Sequence, residues 1–243
     1  MNKKFSTTMI LIIMLVTVEL AFAGAKIIEV SGSVKVRRGV EESWLPASVG
    51  MLLENIDTIL TGTDGVVVLE NSASRNFKLG NNAVVDISEL REITEKELFL
   101  FLMSKKVQKI EPRQGKTPLR IGNVSVVHGE SKAKLEESTT EFSQSNLWVQ
   151  EKNGARALFE QEFYTNSIIK YHKIIDNYDA VKDYGENHFY LGKSFEAMNQ
   201  TGQAIDAYQE AINRCQKQGC DTDNAKRRLT EARQAIDRLK PKK

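Results

Sequence analysis

Two kinds of hydrophobic spacing divide this chain. Between Ile27 and Ile87 the apolar residues come in short runs, often with period two, separated by polar turns. From Ala155 onward they recur at intervals of three and four. Period two belongs to strands, whose side chains alternate between faces, and the wider spacing belongs to helices. Ile27–Val36, with Val30, Gly32, Val34 and Val36 in register, predicts a strand with a bulge or tight bend at Ser31-Gly32-Ser33. Arg37–Glu42 predicts a turn, and Pro46 assigns Trp44-Leu45-Pro46 to an edge or a loop. Gly50–Glu70 carries two apolar runs, Asn55–Leu60 and Val66–Leu69, around Thr61-Gly62-Thr63-Asp64-Gly65. Asp-Gly is a strong turn pair, so this stretch predicts a β-hairpin. The unbroken Val66-Val67-Val68-Leu69 predicts a strand buried on both faces. Asn71–Ser74 is another turn, and Phe77, Leu79, Val84, Val85 and Ile87 predict strands around Gly80-Asn81-Asn82. Leu90–Ile110 fits a helix loosely, yet it contains the apolar run Leu98–Met103. Pro112–Gly122 reads as a loop, and Val124–Val127 as a last strand closed by Gly129.

Residues 131–150 are rich in Ser, Thr, Glu, Lys and Gln and predict a linker, with Trp148 packing on the helices that follow. Beyond it, Asn166–Ile175 aligns with Gln203–Ile212 at an offset of 37 residues. A repeat of that period predicts stacked helical hairpins. The stripe Ala225, Leu229, Ala232, Ile236, Leu239 predicts a final amphipathic helix that caps the stack. Two repeats are few for independent stability, so support is expected from the cap, from Phe142–Trp148 or from self-association.

The start of the chain has a different pattern. Lys3 and Lys4 precede the apolar run Met9–Val18, and Ala21-Phe22-Ala23 offers small residues where a signal peptidase reads. Residues 1–23 are therefore expected to be an export signal cut between Ala23 and Gly24. The apolar run is shorter than the roughly 20 residues that a spanning helix needs. No Cys stands near the cut, so lipid anchoring is not expected. The mature chain is expected in the periplasm or otherwise exported, and not spanning a membrane.

The order Val30-x-Gly32-x-Val34-x-Val36, then Gly50, Asp57, Ile59, Thr61-Gly62, Gly65 and Val66–Leu69, then Leu79, Asn82 and Ile87, resembles the FecR-like domain. This β-rich extracytoplasmic domain occurs in iron-responsive anti-sigma regulators and in other exported proteins. Where the family usually has Gly-Asp, this chain has Ile56-Asp57. The resemblance implies an all-β sandwich over residues 24–130, and it favours two strands joined by a turn within Leu90–Ile110. The sigma-factor-binding segment and internal membrane helix of the regulators are missing, so the anti-sigma mechanism is not carried over. Gly192, Phe195, Ala204, Tyr208 and Ala211 resemble the small and large packing positions of the tetratricopeptide repeat. Ala155, Leu158, Ser167, Tyr171 and Ile174 match them in the first copy. This second resemblance implies an all-α hairpin domain over residues 151–243 with a concave surface for a protein segment. Asn187, His188, Lys193 and Asn166 are expected to be exposed there.

Charge and chemistry narrow the function classes. The net charge is +2, and +1 once Lys3, Lys4 and Glu19 leave with residues 1–23, so nucleic acid is not the expected partner. The basic stretch Lys226–Lys243 is interrupted by Glu231 and Asp237 and reads as a solvated helix face. Cys215 and Cys220 flank Gln218-Gly219 and, in an exported chain, predict a disulfide. His128, His172 and His188 fall in separate elements, and no paired-ligand motif, nucleophile elbow or phosphate loop occurs. Asp57 and Asp64 could be drawn as calcium ligands, but turn chemistry accounts for both. The expectation is a non-catalytic scaffold without cofactor or metal. Its β-domain would bind an envelope protein or a cell-wall glycan, and its repeats a protein. The alternative is an envelope signalling component, which the FecR resemblance alone implies.

Overall fold

The computed structural model describes residues 24–108 and 144–241. The export segment ending at Ala23, the predicted strand Val124–Val127, His128 and residues 131–143 of the predicted linker lie outside the described residues. The described chain is β first and helical afterwards. The described residues divide into two compact units, 24–92 with 153–166, and 93–108 with 144–152 and 167–241.

The first unit holds β1 (Gly24–Ser31), β2 (Val34–Arg37), β3 (Trp44–Pro46), β4 (Leu52–Glu54), β5 (Thr58–Thr61), β6 (Val66–Asn71), β7 (Asn76–Leu79) and β8 (Val84–Asp86). They form two antiparallel sheets, ordered β4-β1-β6-β7 and β3-β2-β5-β8. Both sheets feed one core: Ile27, Leu53, Val67, Leu69, Phe77 and Leu79 come from the first, Val36, Ile59 and Val85 from the second. Pro46 sits in the edge strand β3, where a missing N–H breaks no ladder.

The two sheets are joined at one corner. β1 pairs with β6 in the first sheet, and their continuations β2 and β5 pair in the second. The chain changes sheet at Ser31-Gly32-Ser33 and again at Thr61–Gly65, side by side. Gly62 N–H donates to the Ser33 carbonyl at 2.7 Å, Gly65 N–H to the Gly62 carbonyl at 3.1 Å, and Ser33 N–H to Asp64 Oδ1 at 3.3 Å. Gly32 has φ +66°, and a Cβ there would overlap the Asp64 carbonyl; one on Gly65 would overlap the Ser33 carbonyl. The bend expected at Gly32 is present. The hairpin expected over Gly50–Glu70 is not, because β5 and β6 lie in different sheets and do not pair. The Asp64-Gly65 turn forms, but it carries the chain across rather than back. Nor is β6 buried on both faces: Val67 and Leu69 are buried, Val66 and Val68 half-buried. The strand with every residue buried is β5; its Thr58 hydroxyl donates to Asp86 and its Thr61 hydroxyl to the Gly80 carbonyl.

The described residues of the first unit are completed by 153–166. Leu158 and Phe163 enter the β core, and Phe163 meets Phe77 edge-on with ring centres 5.6 Å apart. Gly154 lies against the Val84 carbonyl, where any side chain would collide. Asn166 donates to the carbonyls of Glu89 and Arg91 at 2.9 and 2.8 Å. Leu158, matched above to a helical-repeat position, thus packs with strands.

The helices are α1 (Glu95–Gln108), α2 (Gln144–Glu160), α3 (Tyr164–Asn177), α4 (Glu186–Ala197), α5 (Thr201–Gln218) and α6 (Asp223–Leu239). Helix α1 replaces the two strands expected there. Its cause is a capping box: Thr94 Oγ1 accepts from Glu97 N–H, and the Glu97 carboxylate accepts from Thr94 N–H. Glu95 and Glu97 at its start and Lys105 and Lys106 at its end complement the helix dipole. Residues 144–150 of the predicted linker are the first turns of α2.

In the second unit α4, α5 and α6 pack in succession. Gly192 of α4 lies against the Tyr208 ring of α5 so closely that a Cβ would intrude. The Tyr208 hydroxyl donates to Glu196 at 2.7 Å, and Arg238 of α6 pairs with the same carboxylate. Ser167 and Ser194 are hydrogen-bonded at 3.1 Å, linking α3 to α4. On α6, Ala225, Ala232 and Ile236 are buried as expected, with Leu229 and Leu239 half-buried.

Gly32→Ala should destabilise the first unit by about 1–3 kcal/mol, through both the positive φ and the overlap with the Asp64 carbonyl. Urea unfolding in a Trp148→Phe background, with Trp44 as the fluorophore, measures it; an unchanged midpoint would contradict the corner geometry.

Candidate functional site: a polar groove on the β-unit

The turn after β7 and the second half of α2 enclose an open groove of about 560 Å³. One wall is Lys78, Gly80, Asn81 and Ala83; the other is Asn153, Arg156, Ala157, Glu160 and Gln161. The β7–β8 turn forms because Asn82 takes φ +50°, a conformation that Asn tolerates. The opposite wall is the polar face of the helix whose apolar face delivers Leu158 to the core.

Each amide in the groove is held. Asn81 Nδ2 donates to the Thr63 carbonyl at 3.2 Å, and Asn153 Nδ2 to the Asn82 carbonyl at 2.7 Å. Gln161 clamps strand β7: its Oε1 accepts from Lys78 N–H at 2.6 Å, and its Nε2 donates to the Lys78 carbonyl at 2.7 Å. Strand β7 is an edge of the first sheet, so the Gln161 carboxamide occupies the place of a neighbouring strand's peptide group. Arg156 Nε pairs with Glu160 at 3.0 Å on the half-exposed rim. An exposed pair of this kind contributes little stability.

Other surfaces carry exposed apolar side chains. In the first unit these are Val40, Leu45, Val49, Leu52 and Ile56; in the second they are Phe99, Leu100 and Met103 of α1 and Leu147 of α2. The opposite side of α1 is engaged: Phe101 meets the His172 ring edge-on at 5.7 Å, and Lys105 pairs with Asp176.

The residues singled out from sequence divide sharply. Asp57 is buried, and both carboxylate oxygens are taken. Oδ1 accepts from Gly39 N–H at 3.0 Å, and Oδ2 accepts from Glu54 N–H at 2.9 Å and from Arg38 at 2.6 Å. Burial would raise its pKa, but those two N–H groups and the Arg38 guanidinium outweigh burial and hold it below the usual carboxylate value. Asp64 accepts from Ser33 N–H at the corner. Cys215 and Cys220 are paired, with Cα atoms 5.2 Å apart. Asn166, Asn187 and His188, expected on an exposed concave surface, are buried. Asn166 is consumed by the Glu89 and Arg91 carbonyls. Lys193 is half-buried over the Phe189 ring. Trp148 is half-buried with the Lys152 ammonium 5.1 Å from its ring centre.

The groove itself was not anticipated. The hydrophobic pattern places Gly80-Asn81-Asn82 between strands and singles out none of Asn153, Arg156 and Gln161. The available signal was an amide-rich face opposite a residue, Leu158, that packs into strands. No family model, no curated protein and no solved structure matches this chain. Among the described residues no helix is long and apolar enough to cross a membrane.

Asp57→Asn should cost about 1–3 kcal/mol near neutral pH by unpairing Arg38 and weakening the bonds from Gly39 and Glu54. Because the folded-state pKa is lowered, the stabilisation is present above the unfolded value of about 3.9 and fades as pH falls through the lower folded value. The gap between the denaturation midpoints of the two proteins should therefore narrow once the pH falls below about 3.9; a constant difference would contradict an ionised Asp57.

Proposed function

We propose that this protein is an exported, non-catalytic interaction protein of the bacterial cell envelope. The β-unit, read as FecR-like, binds an envelope component, and the helical unit, read as tetratricopeptide-like, binds a protein. The observation that carries the reading is the groove beside β7, an open cleft whose amides are fixed in place before any ligand arrives. Fixed polar groups in a cleft lower the ordering cost of binding. The exposed Phe99, Leu100 and Met103 on α1 add an apolar surface of the kind that partners cover. Export is supported by the charged-then-apolar start of the chain and by the Cys215–Cys220 pair, since disulfides persist outside the reducing cytoplasm.

Two experiments on the full chain test this. N-terminal sequencing of protein from the envelope fraction should start at Gly24, and thiol counting without reductant should find none free. A start at Met1 with two free thiols would overturn export. A photo-crosslinking amino acid placed at Asn81, and separately at Phe99, should give discrete crosslinked products in intact cells. Absence of any product at both positions would overturn the interaction role.

A further inference from the structure

We propose that the outer face of α1 is where two copies of this chain meet, as an antiparallel helix pair about a two-fold axis. The inference rests on the reading of this apolar face as one that a partner covers, and it names the partner.

Helix α1 is apolar on two sides. Leu98 and Phe101 turn inward, Leu98 fully buried and Phe101 against the His172 ring. Phe99, Leu100 and Met103 turn outward and are exposed. A helix that is apolar on both sides is stable in water when both sides are covered.

The charges around the outer face say what covers it. Glu95 stands four residues before Phe99, and Lys106 three after Met103, so these four residues form one stripe along the helix. Both charged side chains are exposed, and among the described residues neither has an ion pair or hydrogen bond. A second copy running antiparallel, with the axis level with the midpoint of Leu100 and Phe101, sets Glu95 opposite Lys106 of the second copy and Lys106 opposite its Glu95. The two pairs fall on the same flank because eleven residues are close to three whole turns. Phe99, Leu100 and Met103 of both copies fill the seam between them. The helix dipoles also oppose each other in this arrangement. A parallel pair would instead set glutamate against glutamate and lysine against lysine, which is repulsive. Lys96, on the other flank, falls opposite Lys105, which is already paired with Asp176 of its own chain. The contact uses the same patch on both copies, so it closes at two. A single helix pair is a small interface, which puts the affinity in the micromolar range.

Sedimentation equilibrium of the purified full chain should show a monomer–dimer equilibrium and nothing larger. Phe99→Ser should weaken it about tenfold or more and leave the melting temperature of the monomer unchanged, since that ring is exposed in the single copy. Glu95→Lys and Lys106→Glu should each weaken it about tenfold, and the double variant Glu95→Lys/Lys106→Glu should recover most of the loss. Both swaps oppose the helix dipole, so a firmer helix cannot supply that recovery. Leu100→Cys should link two chains on oxidation, whereas Glu95→Cys should not, because its two copies lie about 16 Å apart along the seam. A monomer at all concentrations, a dimer indifferent to Phe99→Ser, a double variant no tighter than the single ones, or linking through Glu95→Cys would each overturn the proposal. If the crosslinker at Phe99 captures a different protein in cells while the purified chain stays monomeric, the interaction role stands and this assignment falls.

Discussion

The first unit depends on one close backbone contact. At the corner the Ser33 and Asp64 carbonyls press against Gly65 and Gly32 at distances that leave no room for a Cβ. Because both crossings occur side by side, the pairs β1–β6 and β2–β5 behave as two long antiparallel strands bent together from one sheet into the other. That bend puts Ile27, Val67 and Leu69 on the opposite side of one core from Val36 and Ile59. Without it the period-two pattern would still make strands, but their apolar faces would share no interior.

The same corner explains what could be read from the sequence and what could not. Alternation at Val30, Val34 and Val36 reports that a residue is in a strand and which face it shows. It does not report which strand lies beside it. The turn chemistry of Asp64-Gly65 was readable because it is local. The destination of the chain after the turn was not, because it depends on Ser33, which lies 31 residues away from Asp64. Helix α1 was hidden for another reason. Its apolar run Leu98–Met103 wraps around the helix, with Leu98 buried and Phe99 and Leu100 exposed, so it has no single apolar face. The deciding Thr94–Glu97 capping box is a local polar signal, and the apolar run masked it.

In the helical unit small-to-large packing was readable, since Gly192 against the Tyr208 ring depends on one side chain being absent and another large. Burial pushes the Tyr208 hydroxyl far above its ordinary pKa, and the Glu196 carboxylate adds to this, so Tyr208 stays a donor to Glu196 at any physiological pH. The exposure of polar residues was less readable. Asn187 and His188 stand in the first turn of α4, where helical periodicity alone does not separate an inward from an outward polar side chain. Leu158 shows the limit from the other side. A helical repeat position and a strand-facing position ask for the same apolar residue.

The candidate site follows from how polar side chains are used in the first unit. Most of those that a search for ligands would select are fully engaged in closing loops. Asp57 gathers Gly39, Glu54 and Arg38. Asn71 accepts from Ala73 and Arg75 and donates to the Leu90 carbonyl. Asn166 holds the carbonyls of Glu89 and Arg91. Such groups stabilise the fold because a buried polar atom left unpaired is costly, and their burial keeps them from meeting a ligand. Capacity remains where a side chain is fixed by only part of its hydrogen-bonding potential. Asn81 and Asn153 are in that position, and both line the groove beside β7. Residue type therefore ranks candidate sites poorly in this fold: Asp57 and Asn166 are the more conspicuous residues, yet they are buried, and the less conspicuous Asn81 and Asn153 are the ones that line the groove.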